Sequence, residues 1–104
     1  MIHIKKEFTN NQGIVVNYWL MKSASVGLNA DMTRPISGQL NAYVSEEAFK
    51  EGKKEVESCR FRFTIASIDN VSDEAVLQLI IAGEPLETDD METIDFSDAT
   101  IVTP

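Results

Sequence analysis

The sequence predicts an α+β fold: a small antiparallel sheet of about four strands, at 2–8, 14–26, 38–44 and 56–65, with one main helix, 73–82, packed on one face and a short helix at 46–51. Three observations carry this. Residues 56–65 alternate, with Cys59, Phe61, Phe63 and Ile65 on one side and Ser58, Arg60, Arg62 and Thr64 on the other. Residues 13–28 hold the only Trp and a run rich in β-branched and aromatic residues, the composition of a central strand. Residues 69–72 form a turn that delivers a helix cap, and Asp73 and Glu74 then sit where a helix dipole favours acid.

The elements follow in order. In 2–8, Ile2, Ile4 and Phe8 share one parity and His3, Lys5 and Glu7 the other. Asn10, Asn11 and Gly13 supply turn chemistry, because Asn and Gly tolerate positive φ. In the central stretch both the even set, Ile14, Val16, Tyr18 and Leu20, and the odd set, Val15, Asn17, Trp19 and Met21, are largely apolar. Such a strand lies between layers or exposes one face to a partner. The pattern loosens after Lys22, which suggests a bend or bulge near Gly27.

Residues 29–37 read as a loop, since Pro35 cannot donate to a ladder. In 38–44, Leu40, Ala42 and Val44 face one way and Gln39, Asn41 and Tyr43 the other. Ser45 caps the short helix, Glu46 and Glu47 fill its first turn, and Gly52 ends it. Residues 73–82 are apolar almost all round; helix is the preferred reading and buried strand the alternative. The expected core combines the even face of the central strand, Leu40, Ala42 and Val44, and the apolar face of 56–65, under the 73–82 helix. The opposite face would then carry Trp19, Met21, Asn41, Tyr43, Arg60 and Arg62, residue types enriched at protein interfaces. Trp19 and Tyr43 also fit a core position under a further layer.

The 104 residues are enough for one domain, taken as 1–83, followed by an acidic C-terminal tail, 84–104. Residues 99–103 read either as an edge strand or as a segment awaiting a partner. The net charge is −8; residues 1–83 contribute −1 and residues 84–104 contribute −7 with no base. An acidic surface of this kind repels nucleic acid and anionic membranes, so neither is an expected partner. One Cys excludes an internal disulfide framework and fits a reducing compartment. No apolar run reaches bilayer length and the start lacks a signal core, so a soluble protein made in the cytoplasm is expected.

Chemistry is sparsely provided for. His3 is the only His, so a Ser-His or Cys-His nucleophile would depend on it. Cys59 points into the expected core, where a thiol acts as a small hydrophobe. The acids Asp89, Asp90, Glu92, Asp95 and Asp98 lack the alternation and Gly of a calcium loop. No catalytic set, cofactor, metal or small-molecule substrate is assigned, and the chain is read as a non-enzyme.

Two pieces carry a likeness. Gly13-Ile14, then Asn17-Tyr18-Trp19, are followed after a loop by Tyr43-Val44-Ser45-Glu46-Glu47-Ala48 and Gly52-Lys53. That order resembles small proteins of tailed bacteriophages, from the tail or baseplate gene region. The match spans 13–53; where the relatives tend to place Pro after Gly-Lys, this chain has Lys54-Glu55. The resemblance implies a virion structural or assembly protein, made in the bacterial host cytoplasm, that binds other copies of itself or other phage structural proteins. A second reading is a small acidic inhibitor that mimics nucleic acid in a host protein's basic groove.

Overall fold

Asn10 closes the first hairpin. Its side-chain oxygen accepts from the backbone N–H groups of Gln12 and Ile14 at 3.0 and 2.9 Å, and Gly13 takes the positive φ, +81°, that the turn needs. The hairpin joins β1 (His3–Thr9) to β2 (Val15–Val26), with a register shift between Lys5 and Phe8. β3 (Arg34–Tyr43), α1 (Glu46–Lys50) and β4 (Glu57–Ile65) follow. Next come α2 (Asp73–Ala82), the two-residue strands β5 (Leu86–Glu87) and β6 (Thr93–Ile94), and β7 (Thr100–Val102). This computed structural model describes residues 2–65, 72–89 and 91–103; the turn read at 69–71 lies outside them.

The main sheet has five strands in the order β4-β3-β2-β1-β7, every neighbour antiparallel. The α+β class holds, and the sheet is one strand larger than the four expected. The extra strand is β7, which pairs Ile101 with Ile4 at the β1 edge. β5 and β6 make a separate two-stranded ribbon, tied to β4 by a bridge between Thr88 and Cys59.

Three local readings are corrected. β3 begins at Arg34 and takes in Pro35, which pairs across to Thr64. Proline is tolerated there because it sits at the strand's start, where a single missing donor interrupts little of the ladder. The irregularity of β2 falls between Met21 and Ser23, not near Gly27. Val44 lies beyond the strand and is 49% exposed, so it is not core.

The parity of β2 is the largest correction. Trp19 pairs with Ala42 and Met21 with Leu40, so these two residues of β2 share the face of Leu40, Ala42, Cys59 and Phe61. Tyr18 and Leu20 pair with Tyr43 and Asn41 on the other face. Trp19 is therefore fully buried, not a surface residue. Its indole N–H donates to the Lys6 carbonyl at 2.9 Å, and Phe96 meets it edge-on at 5.2 Å.

Two layers result. The sheet is one. The other is α2 with the segment that follows it: Val76, Leu77, Ile80, Ile94 and Phe96 are all buried in the same core as Trp19. α2 matches its expected range. The Ser72 side chain accepts from the Ala75 N–H at 3.2 Å, and Asp73 and Glu74 fill the first turn. From the stretch read as a tail, Leu86, Ile94 and Phe96 pack in or against the core, and Thr100–Val102 joins the sheet as its edge strand. Among the described residues no helix is long and apolar enough to cross a membrane.

Candidate functional site

The face of the sheet turned away from α2 is the candidate site. Clean alternation in β3 and β4 builds it. Gln39 pairs with Arg60, Ser37 with Arg62, and Asn41 with Ser58, so these side chains stand on one side. β2 adds Tyr18 and Leu20 before its bulge and Ser23 and Ser25 after it.

α1 covers only one end of this face. It is five residues long and held by its cap, in which the Ser45 side chain accepts from the Ala48 N–H at 3.1 Å. A helix this short depends on packing. Phe49 supplies it, with its ring 5.0 Å from Tyr43 and 5.7 Å from Tyr18. His3 adds a fourth ring, 4.3 Å from Tyr18. Burial, then the Glu46 carboxylate, push the Tyr18 phenol above its usual range. A cleft of about 330 Å³ opens where this cluster meets the open sheet; Leu20, Asn41, Tyr43 and Phe49 line it, with Lys22 and Glu55 at its rim.

Beyond the cleft the face is bare and polar. Arg60 and Arg62, with Ser23, Ser25, Ser37 and Gln39, border a shallow trough of about 400 Å³. Both arginines are exposed, and neither joins an ion pair among the described residues, where the pairs are Lys6–Asp98 and Lys50–Glu46. Asn41 is buried at the boundary and its side-chain oxygen accepts from Gln39 and Ser58, both at 2.9 Å. That small network fixes the floor between cleft and trough.

The six residues expected on one surface therefore divide. Asn41, Tyr43, Arg60 and Arg62 stand together on the open face. Trp19 is on the core side, and Met21 packs against the core from that side while also lining the cleft. Leu20 and the serines of β2 and β3 belong to the face and were not singled out from sequence. Their signal is the alternation Ser23-Ala24-Ser25, which places two hydroxyls on one side of a strand.

The reactive groups are held apart. His3 is nearly buried on the open-face side, against Tyr18. Cys59 is fully buried in the core, and burial, with Asp89 and Glu57 nearby, pushes its thiol up to about 12. A thiol in that state is a poor nucleophile. Among the described residues no cluster of three or more His, Cys, Asp or Glu is placed to hold a metal ion.

No family model matches the chain. No curated protein and no solved structure matches it either.

Proposed function

We propose that this protein is a non-enzymatic structural or assembly component of a tailed bacteriophage, working through protein contacts on the open face of its sheet. The observation that carries the reading is the half-covered sheet. α1 roofs the Tyr18–Tyr43 end, and the rest of the face is left to the exposed Arg60 and Arg62 and their hydroxyl neighbours. An antiparallel sheet can leave one face to water. Here the face joins an aromatic cleft to a pair of exposed arginines, side chains of the kind that anchor protein interfaces. The motif at 13–53 supports the phage assignment, and the burial of Cys59 supports the absence of nucleophilic chemistry. The protein would act in the host cytoplasm during assembly, alone or as a homo-oligomer, and needs no cofactor, membrane or nucleic acid.

The test is sedimentation of tagged protein from cells making particles of the phage that encodes it. Wild-type protein should travel with particles or their precursors, and Tyr43→Ala with Arg62→Ser should not. If the wild type never co-sediments at any stage of assembly, the assignment is lost. If the double variant co-sediments as well as wild type, the open face is not the interface.

One observation favours the second reading. The described acids of 84–98 flank Ile94 and Phe96, which are buried in the core. A folded acidic surface suits a mimic of nucleic acid in a basic groove. Competition settles it: duplex DNA should displace the protein from its partner, and raised salt should weaken the complex strongly.

A further inference from the structure

The covering layer and the open face carry opposite charge. Residues 72–104 hold nine acidic groups and no basic one, while residues 1–71 hold nine basic and eight acidic, a net of +1. Asp73, Glu74, Glu84, Asp95 and Asp98 are all exposed on the layer that covers the core. On the other side, no position paired outward across β2, β3 and β4 is a carboxylate. Arg60 and Arg62 stand in the open there; at the cleft rim Lys22 is balanced by Glu55, and Glu46 and Glu47 lie at the α1 end, so the basic patch is the trough between β3 and β4. Glu87, beside the Thr88–Cys59 bridge at the β4 edge, forms no ion pair with either arginine among the described residues.

We propose that the open sheet face binds the acidic covering layer of a second copy, face to back. This rests on the open face being an interface, as argued above, and names its occupant. The two symmetric alternatives are electrostatically poor. Face to face sets arginines against arginines; back to back sets one wholly acidic layer against another. Only the face-to-back pairing joins opposite signs. The molecule measures 44 × 30 × 22 Å, so its broad sides exceed the area of about 800 Å² per partner that a stable contact buries. The two patches lie on opposite sides of one molecule. Each bound copy therefore offers a fresh patch, and the contact is heterologous: it propagates into a ring or a stack and does not stop at a dimer.

The experiment uses the full chain and two charge-reversed variants. One carries Arg60→Glu and Arg62→Glu on the face; the other carries Glu84→Lys and Asp95→Lys on the back. Light scattering and sedimentation velocity follow mass against concentration and salt, and circular dichroism confirms that each variant is folded. Wild type should grow in mass with concentration at low salt and return to monomer at high salt. Either variant alone should associate at least about tenfold more weakly than wild type. Mixing the two should restore association, because the basic face of one meets the acidic back of the other; a misfolded variant cannot do this. A wild type that stays monomeric at every salt, or a dimer of fixed size that both variants still form, overturns the proposal. So does tight, arginine-dependent binding of duplex DNA by the wild type, which would make phosphate the occupant. Particle incorporation separates the two claims. A monomeric wild type that still enters particles through Tyr43 and Arg62 loses only the face-to-back contact.

Discussion

Phe96 meets the Trp19 indole edge-on at 5.2 Å and is itself only 2% exposed. It is separated from Trp19 by most of the chain and sits among acids, yet it closes the core over the largest side chain. Phe96→Ala would leave a cavity against Trp19 and should destabilise the fold by about 3–5 kcal/mol. Chemical denaturation followed by Trp fluorescence measures this directly, and a cost under about 1 kcal/mol would mean that Phe96 is a surface residue. Cys59 gives a second residue-scale test. Its thiol is pushed up to about 12 by burial, with Asp89 and Glu57 adding to the shift. An aromatic disulfide reagent at mild alkaline pH should leave the native thiol intact and react at once on unfolding. The linkage has a definite sign. Below the ordinary thiol pKa of about 8.5 both states hold the proton, so the Cys59 contribution is fully present there. Between that value and about 12 the unfolded chain releases the proton and the folded chain keeps it, so stability falls as pH rises. Cys59→Ala should flatten the alkaline limb of a stability–pH profile relative to wild type.

At the scale of elements, Gly38 fixes how β2, β3 and β4 lie together. A Cβ there would stand 2.1 Å from the Ser23 carbonyl oxygen and 2.6 Å from the Phe61 ring. The bulge of β2 and the Phe61 side chain both occupy the space that the missing side chain leaves. Gly38→Ala should cost about 1–3 kcal/mol by overpacking, read as a lower urea midpoint with an unchanged slope. The same region shows what periodicity can and cannot reveal. β4 was legible because only one of its faces is apolar, and α2 because Ser72, Asp73 and Glu74 announce its start. β2 was not, because both its faces are apolar; its orientation is set by partners such as Ala42, small enough to lie opposite Trp19. Tyr43, Asn41, Arg60 and Arg62 share a face, as the uninterrupted alternation of β3 and β4 predicts. Trp19 and Met21 were grouped with them only through the undetermined parity of β2. The covering role of Leu86, Ile94 and Phe96 leaves no local signal, because they are too widely spaced among acids to form a period.

For the whole molecule, the expected consequence is that a chain stopped at Gly83 does not fold cooperatively. A chain stopped there keeps β1 to β4 and α2 but loses Ile94, Phe96 and Ile101 from the core or its margin, and with them the β7 edge strand. Deleting one large buried side chain costs about 2–5 kcal/mol, and a domain of this size holds only about 5–15 kcal/mol in all. Removing two fully buried side chains, a partly buried third and a strand therefore approaches or exceeds the whole stability. The gain on the other side is small. The deletion also removes seven carboxylates and no base, but most of the described ones are exposed, and solvent screens their repulsion. Hydrophobic loss outweighs electrostatic relief. The truncated chain should show no cooperative melting transition, a Trp19 emission shifted to the red, and weak near-ultraviolet dichroism, while the full chain melts in one step. A truncated chain that melts cooperatively with unshifted emission would show that α2 alone suffices to cover the sheet.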